Sequence, residues 1–170
     1  MREVAIVSPL RTPVGFFGGT LRPLPAEELG ALIIKELLNR SALEPERIDD
    51  VILGQGYPSG ENPAIGRLCA LKAGLPIEIP GYQVDRRCAS GLQAIINAAM
   101  MIQTGNANVV IAGGTESMSN AEYYTTGARW GGRLGSMELH DRLTRGRVTV
   151  QPLERFGFIS GMPEPAENLA

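Results

Sequence analysis

The chain is poor in aromatic residues, histidine and cysteine: of its 170 residues 5% are aromatic, 1 is His and 2 are Cys. Two cysteines, Cys69 and Cys88, cannot build a disulfide framework or a four-ligand zinc site, and His140 alone cannot complete a usual metal cluster. A reducing, cytoplasmic setting is therefore expected, with no metal. Excess charge is also missing. The net charge of -2, from 16 Lys and Arg against 18 Asp and Glu, gives no strong positive field, so neither nucleic acid nor an anionic membrane surface is an expected partner. No apolar run reaches the roughly 18 residues of a membrane span. The longest candidate, near Ala94 to Ile102, is interrupted by Asn97, and Val4-Ala5-Ile6-Val7 is too short for a signal peptide. Neither a membrane span nor export is expected.

What is present is a globular composition, with 44% hydrophobic residues and alternating strand and helix signals. Glu3 to Ser8 reads as a buried strand stopped by Ser8-Pro9. After a Gly- and Pro-containing loop, Pro25 with Glu27 and Glu28 opens a helix expected to run to about Arg40, with Leu29, Leu32, Ile33 and Leu37 along one stripe. Asp50 to Leu53 reads as a strand. Pro63 to Ala73 reads as a helix closed by Gly74, Tyr82 to Asp85 as a third strand, Leu92 to Ile102 as a helix ending at Gly105, and Val109 to Ala112 as a fourth strand. This alternation predicts an α/β fold with a mainly parallel sheet and helices covering it. After Met118 the rhythm gives way to glycines, arginines, Tyr123, Tyr124 and Trp130, so the expected division is 1–118 as an α/β domain and 119–170 as a subdomain or long functional loop. Met137 to Leu143 is expected to form a helix there. Pro165 to Ala170 resembles the opening turn of a helix left incomplete, and the chain reads as cut short.

Cys88 is the leading chemical candidate. At a strand-to-helix junction, unpaired N–H groups and the positive end of the helix dipole favour thiolate over thiol. Those N–H groups would also bind the oxyanion formed when sulfur attacks a carbonyl. Ala89, Ser90 and Gly91 leave room for an acyl group. The competing reading is an inert core thiol, which suits Cys69 better, since Cys69 lies on an apolar helical stripe with Ile65 and Leu68. A Cys–His hydrolase would have to use His140, which lies among Glu138, Asp141 and Arg142 and reads as part of a solvated helix face. The glycines of 54–60 have the wrong spacing for a dinucleotide loop.

The run Val84-Asp85-Arg86-Arg87-Cys88-Ala89-Ser90-Gly91-Leu92-Gln93-Ala94 closely resembles the active-site segment of thiolases, the acyl-CoA C-acyltransferases, in which this cysteine carries the acyl group. Arg11-Thr12-Pro13-Val14-Gly15 resembles their N-terminal loop, and Gly113-Gly114-Thr115-Glu116-Ser117-Met118-Ser119 their glycine-rich signature. Met162 with Ala166-Glu167-Asn168 resembles a further family segment. The resemblance implies the N-terminal half of a thiolase-like layered fold with helices on both faces of the sheet, and Cys88 as nucleophile. It also implies that Met162 and, more weakly, Val148 line the acyl or pantetheine pocket. Acyl-CoA or coenzyme A would be the substrate, with no covalently bound cofactor. The partner would be a second copy of the chain or a complementing C-terminal half. Arg142, Arg145, Arg147 and Arg155 form a basic stretch suited either to coenzyme A phosphates or to a solvated or subunit face. Three positions depart from the pattern: Asp85 replaces the usual asparagine, Gly161 stands where many members carry histidine, and Pro163 replaces glycine. A ketoacyl-synthase-type condensing enzyme and a non-catalytic, partner-binding half are the alternatives.

Overall fold

The computed structural model describes residues 1–157 and 161–169, which divide into two compact units, one of Met1–Asn120 and one from Ala121 onward. Ala170, the last residue of the expected terminal helix, lies outside the described residues.

In the first unit, helix α1 (Ala26–Ser41) starts after Pro25, which supplies the φ a helix start requires and whose carbonyl accepts from Leu29 N–H at 3.2 Å. Strand β1 (Asp50–Gly54) follows, then α2 (Ile65–Ala73), β2 (Gly81–Val84), α3 (Ser90–Gln103) and β3 (Val110–Gly114). The sheet order is β2-β1-β3 and both pairings are parallel, with Val51 opposite Gly81 and Ile111. From β1 to β2 the chain steps one way along the sheet. From β2 to β3 it steps back over β1. Crossovers of one hand taken in opposite directions place their helices on opposite faces.

The core follows this layering. Val51, Leu53 and Ile111 pack with Ile34 of α1 and Ile65, Cys69 and Ala70 of α2, while Ile52, pointing the other way, packs with Ala94 and Ala98 of α3. Central β1 is therefore buried along its whole length, as a strand covered on both faces must be. Gly66 explains how close α2 comes: a Cβ there would lie 2.3 Å from the Tyr82 carbonyl oxygen and 2.5 Å from that of Val51.

The expected strand at Glu3 to Ser8 does not form. Residues 1–16 carry no regular secondary structure. Ser8 has φ 52°, which breaks the extended path after Val7, and Ile6 and Val7 are 75% and 73% exposed. With no residue of the segment fully buried, it gains little to offset the entropy of ordering a ladder. Instead, residues 4–12 line a groove of about 480 Å³ with α1, α3 and β3.

In the second unit, Tyr123–Tyr124 (β4) and His140–Asp141 (β5) pair antiparallel, followed by short helices α4 (Arg142–Val148), α5 (Leu153–Phe156) and α6 (Pro163–Glu167). The helix expected over Met137 to Leu143 is thus displaced toward the C-terminus. Asp141 sets its start: its Oδ1 accepts from Leu143 N–H at 3.0 Å and its Oδ2 accepts from the Thr144 hydroxyl at 2.6 Å.

Candidate active site

The C-terminal ends of β1, β2 and β3 lie side by side, where open parallel sheets present their ligand-binding loops. Cys88 sits in the loop leaving β2, exposed, two residues before α3 begins. The turn that carries it is closely tied. Ala89 N–H donates to the Arg86 carbonyl at 3.1 Å and Ser90 N–H to the Arg87 carbonyl at 3.0 Å. The Ser90 hydroxyl accepts from Arg86 N–H at 2.8 Å and donates to the Arg87 carbonyl at 2.6 Å. Ser90 is itself buried, and both bonds are partly buried.

Arg87, immediately before the cysteine, has φ 51°, a left-handed conformation that costs a non-glycine residue of order 1 kcal/mol and persists only where its surroundings enforce it. Asp85 supplies part of that constraint, since its Oδ1 accepts from Arg87 N–H at 3.0 Å. The asparagine usual in thiolases carries an equivalent side-chain oxygen, so this departure preserves the turn.

Helix α3 starts close to the sheet because Gly54 ends β1: a Cβ at Gly54 would fall 2.3 Å from the Ser90 carbonyl carbon and 2.5 Å from Gly91 N. No side chain caps the helix, and its first intrahelical bond runs from Gln93 N–H to the Ala89 carbonyl at 2.8 Å. The sequence expectation of several free amide hydrogens at the cysteine is therefore modified, because those of Ala89 and Ser90 close the turn. The helix dipole remains aimed at this loop.

Two further loops meet the Cys88 turn. Glu116, just beyond β3, accepts through Oε2 from Gly56 N–H at 2.7 Å and Tyr57 N–H at 3.0 Å. The Gly56 carbonyl accepts from Arg87 Nη1 at 2.9 Å, and the Arg87 guanidinium lies 5.9 Å from the centre of the Tyr57 ring. Arg86 is held separately by a hydrogen bond from Nη1 to Gln93 Oε1. From the sequence, Ser90 is expected only as a small residue leaving room beside the cysteine, and Glu116, Arg87 and Tyr57 are given no role of their own. The placement of Glu116 two residues after a strand ending in Gly113-Gly114 was the available signal for that residue.

Cys69 contrasts with Cys88. It is completely buried against α1, and burial, with Glu27 nearby, pushes its thiol up to about 12. It packs as a small hydrophobic residue, as expected.

The other sequence candidates fall in the second unit. Val148 ends α4 and is half-buried, whereas Met162 is 71% exposed beside α6. His140 stands at an edge-to-face angle to Tyr124, with ring centres 5.7 Å apart, and its Nδ1 lies 3.3 Å from Glu138 Oε1. Arg145 Nη1 is 3.1 Å from both ring nitrogens and so is aimed at neither lone pair. Among the described residues no three His, Cys, Asp or Glu side chains gather closely enough to hold a metal ion, and no helix is long and apolar enough to cross a membrane.

Comparison with known proteins agrees with this arrangement. The family pattern described as "Thiolase, N-terminal domain" matches residues 4–155. The acetyl-CoA acetyltransferase of Schizosaccharomyces pombe is 50% identical over 145 residues, which cover 84% of this chain and 36% of that protein. A beta-ketothiolase of Cupriavidus necator is 41% identical over 143 residues, covering 84% of this chain and 36% of the relative. The crystal structure of the Bacillus anthracis acetyl-CoA acetyltransferase superposes with TM-score 0.77 at 40% identity, covering 81% of this chain and 35% of that one. The chain thus spans about a third of the length of these relatives. The layered sheet, the cysteine turn between β2 and α3 and the match over residues 4–155 together place the chain in the thiolase family.

Proposed function

We propose that the chain supplies the acyl-accepting part of a thiolase site. The Cys88 sulfur, as thiolate, attacks the carbonyl carbon of an acyl-CoA. The tetrahedral oxyanion collapses, coenzyme A leaves as its thiolate, and the acyl group remains on Cys88 as a thioester. A carbanion of a second acyl-CoA, or coenzyme A in the degradative direction, then takes the acyl group. The reading rests above all on an exposed thiol at the amino end of α3, at the C-terminal edge of a parallel sheet. No bound cofactor is needed, because the substrate carries its own activated acyl group. Val148 and Met162 belong to this reading as pocket residues, residues 1–118 as the catalytic half-domain and 119–170 as the start of an inserted loop domain.

General acid and base groups each contribute about 10² to 10⁴. The resemblance assigns these groups to the part of the relatives that this chain does not span. We therefore infer single acylation without turnover for the 170-residue chain, and full activity only with a complementing C-terminal half in a cytoplasmic assembly containing a second copy.

Acetyl-CoA mixed with the purified chain, followed by peptide mass mapping, tests the proposal. An acetyl group on Cys88, absent from Cys69 and from a Cys88→Ser variant, is the expected result, together with negligible cleavage of acetoacetyl-CoA. An unmodified Cys88 that nevertheless reacts with iodoacetamide would refute acyl transfer. Rapid multiple turnover would refute the need for a second half.

A further inference from the structure

The loops leaving β1, β2 and β3 are connected by one chain of polar contacts. Glu116 accepts both Gly56 N–H and Tyr57 N–H, at 2.7 and 3.0 Å, across a sequence separation of 60 residues for the first. The same Gly56 accepts through its carbonyl from Arg87 Nη1, and the guanidinium rests near the Tyr57 ring. Gly56 is close to both partners: a Cβ there would lie 3.3 Å from Glu116 Oε2 and 3.6 Å from the Arg87 carbonyl oxygen. Arg87 has no glycine-like freedom, yet it holds φ 51° next to the nucleophile. Local bonds from Asp85 and Ser90 tie the backbone of this turn, and the Arg87 guanidinium ties it to the neighbouring β1 loop.

We propose that Glu116 and Arg87 are positioning residues. Glu116 fixes the Gly56–Tyr57 backbone through two charge-assisted hydrogen bonds, and that backbone, through the Gly56 carbonyl and Tyr57 ring, holds Arg87 in its left-handed conformation and so orients Cys88 Sγ. The proposal deepens the acyl-acceptor reading and depends on it only for what the held sulfur is used for. Its prediction is specific: a neutral side chain of the same shape at position 116 retains an oxygen for the two amide hydrogens and keeps the turn ordered, whereas a methyl group does not.

A methanethiosulfonate spin label on Cys88 of the full chain gives the readout, because Cys69 is completely buried and its thiol is pushed up to about 12. In the unmodified background the resonance line shape should be dominated by an immobilised component. Glu116→Ala should raise the ratio of mobile to immobile label about tenfold, while Glu116→Gln should stay within about twofold of the parent. Arg87→Met, a change at an exposed side chain, should reproduce the Ala effect and decides the matter if Glu116→Ala does not fold. Circular dichroism and melting temperature, measured alongside, identify variants whose fold is retained. A folded Glu116→Ala or Arg87→Met variant with the parental line shape would overturn the proposal, as would a Gln variant as mobile as the Ala variant. Acetyl-CoA acylation measured on the same unlabelled proteins separates the two readings. Failure of acylation with the line-shape pattern intact removes acyl transfer and leaves the positioning relay.

Discussion

The two units of the chain are stabilised by different means. Every buried hydrophobic side chain found among the described residues lies between Ala26 and Ile111, in the first unit. The second unit leaves Trp130, Leu134, Met137, Leu139, Phe156 and Met162 exposed and depends on a two-residue strand pair and on local hydrogen bonds such as those of Asp141. A parallel sheet covered on both faces fixes backbone position through packing, so chemistry can be placed on its rim. A short antiparallel pair without a core has only marginal stability of its own. The contrast accounts for the position of Cys88, whose turn gains rigidity from buried Ser90 and from the close approach of α3 to Gly54.

The most severe way to break the contrast is to push α3 off the sheet. Gly54→Ala would place a methyl carbon 2.3 Å from backbone of Ser90, where no side chain can swing aside. A loss on the order of 4 kcal/mol is expected, with the Cys88 turn disordered and the first unit's denaturation midpoint sharply lowered. A variant of near-parental stability in urea would mean that the sheet and α3 can separate cheaply, and that packing does not fix the site.

A smaller effect sharpens the same point. Ile52, wholly buried beneath α3, should lose about 3 kcal/mol on truncation to Ala. Trp130→Ala, at a side chain 87% exposed, should change stability by no more than about 0.5 kcal/mol. Equal costs in matched urea titrations would show that the second unit has a packing contribution its exposed side chains do not indicate.

Legibility in the sequence divides along the same line. The three strands of the β2-β1-β3 sheet and all three long helices were readable because packing on a two-faced sheet imposes a period on the residues: Ile52 and Leu53 go to opposite faces, and Ile65 and Cys69 share one. The strand expected at Glu3 to Ser8 had the right composition, but pairing depends on burial and on Ser8 keeping an extended backbone, neither of which composition encodes. The helix of the second unit was misplaced because Asp141, its N-cap, was read as part of a helical face. The placement of Cys88, exposed between β2 and α3, was legible from the strand-to-helix pattern around it. The Glu116 contact was not, because it links residues 60 apart through backbone N–H groups, which carry no sequence signature.

The mildest test uses acid, since each unit contains a carboxylate held below the usual range by hydrogen bonding. Asp49 accepts from Asn108 N–H and Val109 N–H at the entry to β3, and those bonds lower its pKa. Asp141 is lowered first by the Thr144 hydroxyl and then by backbone N–H groups of α4. A carboxyl depressed in the folded state stabilises it above the ordinary carboxylate value, and this contribution is lost as pH falls through the lowered one. Losing the Asp49 contribution loosens only the start of β3, because Val51, Ile52 and Ile111 remain packed. Losing that of Asp141 weakens the cap of α4 where no core compensates. Residue-resolved amide exchange between about pH 6 and about pH 3 should therefore show protection around Leu143 and Thr144 disappearing before that of Val51 and Ile52. Asp141→Asn, which keeps the cap oxygen without a titrating charge, should flatten the pH dependence around α4 and leave β1 unchanged. If β1 and α4 instead lost protection together, the second unit would draw its stability from the first, and the two could not be treated as separately held.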